Sequence, residues 1–396
     1  MSVNTMDFNQ VSQVLADISS QVTGNAVQAP VDTTSWVSLA QTTLRAGYEP
    51  VLNAISQVIG KTIFSMRPYN RKFAGLQVDN QKYGAITRKL VVADKPFEND
   101  AQFSLVDGQA IDHYVVNKPK VLETRFYGQN QYMKEITIFQ DQLAAAFQGP
   151  EQMGEFLTMV TQNAQDMIEQ AHESLARMTI AALAGGVKAS VTAGTRGAES
   201  VIHLLTEYNQ DTGQSLTAQT IFAPANFKPF IQWYYARVNQ LTQMLSERTS
   251  LYQNKVTGYE INRHTPLADQ LVYLYAPIRY QAEARAIADV YHDSYLQMAD
   301  TETVNFWQTA KDPDSVQVTP SYLDANGEVV DSQSAITIAP LFGVIADRDA
   351  LGYTVMNEVT ATTPLNAKGL YYNIFFHFLD RYWIDLTEKA VIMVLD

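Results

Sequence analysis

Histidines, carboxylates and a glycine cluster are the residues of this chain whose types could do chemistry. The six histidines are His113, His172, His203, His264, His292 and His377. None stands at metal-ligand spacing from a second histidine, and there is no cysteine to complete a thiolate site. His377 lies inside an aromatic strand and reads as a hydrogen-bonded core residue. Asp347-Arg-Asp349 sets two carboxylates on one side of a strand or turn, a pattern that can serve acid–base work. The intervening Arg348 and the absence of a nearby Ser, His or Gly motif favour a structural ion cluster instead. Asp324-Ala-Asn-Gly327 lacks the remaining ligands of a calcium loop and reads as a hairpin turn. Gly185, Gly186, Gly194 and Gly197 are followed by no Gly-Lys-Ser/Thr, so a connector is favoured over a phosphate loop. No nucleophile–base pair is found. No catalytic residue, metal ligand or cofactor is expected, and the chain reads as a non-enzyme.

The elements around these residues follow from periodicity. Gly149-Pro150-Glu151 opens a helix, and Phe156, Val160, Ala164, Met167, Ala171, Leu175, Met178 and Ala182 recur every three or four residues. Gly185-Gly186 supplies a stop, which predicts a helix over 150–184. Residues 187–200 read as a loop. From 201 to 360 the pattern is mixed α/β. Helices are expected at 201–208 and 228–247, and strands at 220–223, 271–275, 316–319, 335–338 and 341–345. Gly84 to Asp94 and Ile111-Asp-His-Tyr-Val-Val-Asn117 read as the two strands of a long hairpin with a polar tip. Leu370 to Leu379 is apolar on both alternating faces, so a strand covered on both faces is expected, followed by the strand 390–395. Residues 1–30 read as an arm or a weakly held helix, and 25–34 as a linker.

A length of 396 residues predicts at least two domains. No apolar run is long enough to cross a membrane, and the first residues show no signal-peptide pattern. The formal net charge of −13 argues against tight, sequence-nonspecific binding of nucleic acid. That charge is uneven. Between 61 and 95, Lys61, Arg67, Arg71, Lys72, Lys82, Arg88, Lys89 and Lys95 face only Asp79 and Asp94. Between 283 and 358 the balance is strongly acidic. Two solvated faces would explain this. So would a head-to-tail contact between copies, with Arg67, Arg71, Lys72, Arg88 and Lys89 as the intersubunit residues.

The order of parts carries a resemblance. It rests on Thr124-Arg-Phe-Tyr-Gly-Gln-Asn-Gln-Tyr-Met-Lys-Glu-Ile-Thr-Ile-Phe leading into the long helix. It rests also on Ala288-Asp-Val-Tyr-His-Asp-Ser-Tyr295 with Val304-Asn-Phe-Trp307, and on Asn366-Ala-Lys-Gly-Leu-Tyr-Tyr-Asn-Ile-Phe-Phe-His-Phe378 running to Ala390-Val-Ile-Met-Val394. This resembles the major capsid proteins of tailed double-stranded DNA bacteriophages, with the Hong Kong 97-like fold, and is closest in pattern to small podovirus head proteins. The resemblance implies an α+β fold. Its parts would be an N-terminal arm (1–60), an extended loop built on a long β-hairpin (61–123), a peripheral domain with a spine helix (124–200), an inserted α/β axial domain (201–360) and peripheral return strands (361–396). It implies self-assembly into pentamers and hexamers of an icosahedral shell, formed in the host cytoplasm and ending as the virion capsid. Partners would be copies of itself, a scaffolding protein, a portal, and minor capsid or decoration proteins. Packaged DNA would be enclosed without specific binding, and no membrane is involved. The alternatives are an encapsulin-type compartment shell and a soluble α/β hydrolase or ligand-binding protein.

Overall fold

The computed structural model describes residues 7–51, 53–55, 72–78, 87–93, 101–114, 116, 118, 120–126, 130–257, 261–278 and 301–396. Its backbone is one long helix serving two hydrophobic cores. Helix α4, Pro150–Thr192, starts from the extended N-cap Gly149, with Pro150 in the first turn and Glu151 at the positive end of the helix dipole. Its 43 residues span about 65 Å at 1.5 Å each. The expected stop at Gly185-Gly186 is not used. Those glycines sit where the helix crosses other chain segments at close range. A Cβ on Gly185 would lie 2.3 Å from Val318 Cγ2, and one on Gly186 would lie 3.1 Å from Leu386 Cδ2. Close packing outweighs the helix penalty of glycine, about 1 kcal/mol per residue. The helix ends instead beside Gly194, whose φ of +75° suits glycine.

The first core lies against the N-terminal half of α4. There Met153, Phe156, Leu157 and Val160 meet one face of a three-stranded antiparallel sheet. Its strand order is β12 (Leu351–Thr362), β13 (Tyr371–Ile384), β3 (Asn130–Phe139). Strand β3 leads straight into α3, Gln140–Ala146. From β13 this core takes Tyr372, Ile374, Phe376 and Phe378, the alternate residues of the strand. The opposite face of β13 is not covered as expected. Tyr371, Phe375 and Leu379 are half-buried and His377 is exposed, so His377 is no core histidine. The alternation correctly gave a strand, but only one face meets the helix.

The N-terminal residues also belong to this core. Helix α1, Phe8–Thr23, is capped by Asp7. Helix α2, Thr33–Arg45, is capped by Asp32, whose Oδ1 accepts from the Ser35 N–H at 2.7 Å. Val11, Leu15, Ile18, Trp36 and Ala40 are buried at helical spacing. That burial fixes a segment whose polar composition suggested a loose arm.

The second core packs the other half of α4, with Leu175, Ala176, Ile180, Leu183, Ala184 and Val187, on a five-stranded mixed sheet. The order is β4 (Val201–His203), β14 (Ala390–Val394), β11 (Leu341–Asp347), β5 (Gln270–Tyr275), β6 (Thr301–Val304). Strands β11 and β14 are buried along their whole length, because helices cover both sheet faces. The far face carries a third cluster with α5 (Leu204–Thr212) and α6 (Pro224–Ser246). The helix expected over 201–208 is thus divided between β4 and α5. The strand expected at 220–223 is a turn, held by hydrogen bonds between Thr217 and Thr220 and leading into Pro224 at the helix start. Strand β7 (Val316–Val318) pairs with β10 (Ile336–Ile338). Strands β8 (Ser321–Leu323) and β9 (Val329–Asp331) form the hairpin signalled by Asn326-Gly327. No helix among the described residues is long and apolar enough to cross a membrane.

The long hairpin pairs β1 (Thr87–Ala93) with β2 (Lys120–Phe126), not with 111–117. The register sets Val91 opposite Leu122, and both turn to the body, against Val256 and Ile261. The described residues of 111–117 offer no such inward pair: Ile111, Tyr114 and Val116 are all exposed.

Candidate assembly interface

The β1–β2 hairpin belongs to neither large sheet. Two devices fix it. One is the small apolar cluster of Val91, Leu122, Val256 and Ile261, closed by the β8–β9 turn, where Gly327 (φ +85°) brings its backbone against Leu122 and Val256. The other is ionic. Lys89, two residues from Val91 and so on the same strand face, sets its Nζ 2.9 Å from Asp385 Oδ2 and 2.6 Å from Glu388 Oε1. Arg263 adds a second cation, its Nη2 3.2 Å from Glu388 Oε1. Burial alone would lower the pKa of Lys89, but the charges of Asp385 and Glu388 outweigh it and the pKa rises. Burial raises that of Glu388, partly offset by Lys89 and Arg263.

The acceptor turn, 385–389, is itself wholly buried, although three of its five residues are charged. Asp385 Oδ1 accepts from the Thr387 N–H at 2.9 Å and from its hydroxyl at 2.7 Å. Lys389 donates to the Leu245 carbonyl (3.2 Å), the Glu247 carbonyl (2.5 Å) and Thr249 Oγ1 (3.2 Å). Desolvation lowers its pKa to about 8. Arg196, in the loop after α4, donates to the carbonyls of Tyr252, Leu386 and Ala390 and to Asn254 Oδ1. Burial pulls that guanidinium down to about 9. The turn joins β13 of the first sheet to β14 of the second. Helix, hairpin and both sheets therefore meet at one ionic knot. Beside it lies a cleft of about 560 Å³ lined by Phe126, Tyr322, Leu323, Tyr382 and Trp383, between hairpin and body.

Of the five basic residues singled out in the sequence, Arg67 and Arg71 lie outside the described residues. Lys72 is half-buried, with Nζ 3.5 Å from the Thr303 carbonyl, and the next residue, Phe73, donates its N–H to Glu302 Oε1 at 2.8 Å. Arg88 stands opposite Arg125 in the hairpin register. Lys89 is held within its own chain, as described. The sequence did not disclose the knot. Its one signal was the period-two sharing of a face by Lys89 and Val91.

The remaining candidates are structural. Asp347 accepts from Thr265 Oγ1 at 2.6 Å and from the Asp349 N–H at 2.8 Å, which makes it a turn cap. Asp324 caps the β8–β9 turn, accepting from the N–H groups of Asn326 and Glu328, both at 2.8 Å. His172 is buried, its Nε2 3.8 Å from Asp380 Oδ2. His203 pairs with Asp396 at the surface. His292 lies outside the described residues. No group of side chains among the described residues could hold a metal ion.

The described surface also displays several large apolar side chains. Leu90, Val92 and Val121 are exposed on the hairpin, and Leu105, Val106, Ile111, Tyr114 and Val116 on the segment between its strands. The open face of the β12–β13–β3 sheet adds Met133, Phe139 and Val359. The family model of the Phi29-like phage major capsid protein matches residues 11–394. The chain belongs to this family. It is a capsid shell protein, and neither the encapsulin nor the hydrolase alternative is favoured. No curated protein matches it. Among solved structures it is similar to a chain of the Staphylococcus phage Andhra capsid. The identity is 10% and the TM-score 0.51, over 83% of this chain and 84% of that one. It is similar also to a chain in the structure of the head fiber and inner core protein gp22 of native bacteriophage P68. There the identity is 12% and the TM-score 0.53, over 83% and 85%. At such identities the likeness is one of fold, and it bears out the mixed α+β class. Exposed apolar residues suit a protein that assembles into shells, where surface is buried between copies.

Proposed function

We propose that this capsid protein builds its shell with the Hong Kong 97-like arrangement. Residues 61–123 form an extended loop over a neighbouring copy. Residues 124–200 with the return strands of 361–396 form the peripheral domain, and 201–360 an axial domain that gathers into pentamers and hexamers. Residues 1–60 form an N-terminal arm, whose helices α1 and α2 pack on the peripheral core. The shell encloses double-stranded DNA without specific contacts, consistent with the net charge of −13. A scaffolding protein, a portal and minor or decoration proteins complete the particle, which assembles in the host cytoplasm.

The observation that carries this reading is a hairpin fixed at its base by Lys89 and apolar at its surface, at Leu90, Val92 and Val121. A fixed base aims the hairpin, and an apolar surface gives the neighbour something to bury. Arg67, Arg71, Lys72 and Arg88 supply the basic side of the contact, while the charge of Lys89 is spent within the chain. Charge reversal at Arg71, Lys72 and Arg88, with Lys89 kept, is therefore the test. The variant should remain folded by circular dichroism but fail to form shells by light scattering and electron microscopy. Normal shells would refute the head-to-tail contact.

A further inference from the structure

The cleft between hairpin and body is lined by aromatic rings that no core uses. Phe126 ends β2, and Tyr382 and Trp383 stand near the end of β13; none of the three belongs to the apolar clusters described above. Tyr322 joins them from the β8–β9 hairpin. The Phe126 and Trp383 rings lie 6.3 Å apart at an interplanar angle of 47°. Trp383 stands opposite Gly352 of β12, and its indole occupies the space a side chain there would take, since a Cβ on Gly352 would lie 2.5 Å from Trp383 Cζ2. That close approach holds the ring in place. Tyr382 is 37% exposed and the other three rings are half-buried. Among the described residues, the indole N–H of Trp383 and the hydroxyls of Tyr322 and Tyr382 have no hydrogen-bond partner.

The charge on the lining has one sign left over. Asp331 lines the cleft and accepts from Ser321 Oγ at 2.6 Å, but it pairs with no cation. Asp324 and Glu328 lie on the same hairpin, and from 312 to 347 the sequence holds six carboxylates and no lysine or arginine. The two cations of the lining are already paired. Arg125 forms an ion pair with Glu123 at 2.9 Å, and Arg381 is buried and engaged within the chain. Asp385 is held by Lys89. Aromatic rings attract a cation to their faces, and a carboxylate beside them adds to the attraction. A planar, weakly hydrated guanidinium suits such a site better than an ammonium does.

We propose that this cleft is a docking site for an arginine side chain on an extended segment of a second, different protein. The guanidinium stacks among Phe126, Tyr382 and Trp383 with Asp331 as its counter-charge, and the free ring donors bond the carbonyls of the segment. A volume of about 560 Å³ accommodates one such side chain with its flanking backbone. The described arginines of this chain all sit on helices, strands or short connections, which favours a different protein over another copy. The inference does not rest on the shell arrangement proposed above.

The test uses fluorescein-labelled nona-arginine and nona-lysine, titrated with the unassembled protein by fluorescence anisotropy at about 50 mM salt. The two peptides carry equal charge, so attraction to a protein of net charge −13 is alike for both. Wild type should bind nona-arginine about fivefold more tightly or better, the size of one cation–π contact. Trp383→Leu should remove most of that preference, and Asp331→Asn should weaken both peptides, with circular dichroism and melting close to wild type. No preference in wild type, or a folded Trp383→Leu variant that keeps it, overturns the proposal, because the binding is then net charge alone. Unchanged affinity in Asp331→Asn overturns it too, since the carboxylate is then no part of the site. Should Trp383→Leu not fold, Tyr382→Ser decides by the same criterion, that ring being the most exposed of the four. Self-assembly of the folded variant should match wild type. Loss of assembly would assign the cleft to a second copy and overturn the docking of a different protein, while leaving the capsid reading intact.

Discussion

Lys89→Met removes the ionic anchor of the hairpin and keeps most of the side chain's length. Losing one partner of a buried pair costs about 3–5 kcal/mol, because the other charge stays buried without compensation. Here the cost is smaller. The Lys89 side chain keeps 24% of its exposure, Glu388 retains Arg263, and Asp385 retains both donors of Thr387. A loss of about 2–3 kcal/mol follows. It falls on the attachment of the hairpin and not on the two large cores, since β1 and β2 join no other strand. Hydrogen exchange of the β1 and β2 amides, read by mass spectrometry, should accelerate about 30- to 150-fold, with exchange in α4 and β14 unchanged. Adding Asp385→Asn and Glu388→Gln should recover part of the protection, because the uncompensated charges are then gone. Exchange at β1 within about threefold of wild type would refute the anchoring argument. So would equal acceleration throughout the molecule, since that would make Lys89 a general stabiliser.

Two further outcomes concern the cores and the knot. Gly185→Ala should lower stability by about 1–3 kcal/mol in denaturant unfolding, although alanine favours helix, because the new methyl meets Val318 Cγ2 at 2.3 Å; a stabilised variant would show that the crossing can open. Lys389 has a folded-state pKa depressed to about 8, so its contribution to stability is smallest below pH 8 and grows as pH rises toward its ordinary value near 10.5. The full shift corresponds to about 3 kcal/mol, or about half that after screening. The stability of wild type relative to Lys389→Met should therefore rise between pH 7.5 and 9.5, and a flat difference would refute it.

Much of the fold was legible in the sequence, and the failures share a cause. Gly149-Pro150 marked the start of α4, and the period-two pattern marked β13, because both signals are local. Gly185-Gly186 misled because tertiary packing on Val318 and Leu386 overrode local punctuation. His377 was misplaced because alternation shows that a strand exists but not how many of its faces are covered. The N-terminal helices looked loose because Val11, Leu15, Ile18 and Trp36 acquire a core only through β13 and α4, more than a hundred residues away. The knot was least visible. A run such as Asp-Leu-Thr-Glu-Lys reads as a solvated turn, and only Lys89, Arg196 and Arg263, from three distant segments, make its burial tolerable. Lys89 was counted among the surface charges for the same reason.

The position of the knot explains why charge is used there at all. Buried ion pairs add little net stability over well-packed apolar side chains. What they add is direction, since each bond is satisfied over a narrow range of distance and angle. The turn 385–389 is where the chain leaves β13 for β14, and so where the first sheet is joined to the second. Arg196 ties that turn to the end of α4, Lys389 ties it to the loop after α6, and Lys89 ties it to the hairpin. An apolar contact such as Val91 on Val256 would let the hairpin slide at little cost. The pairs from Lys89 to Asp385 and Glu388 do not, because sliding by even 1–2 Å separates charges that water cannot reach to rescue. On the proposed arrangement each copy presents its hairpin to a neighbour, so the residues that define its angle would matter more to assembly than their modest share of the folding energy implies.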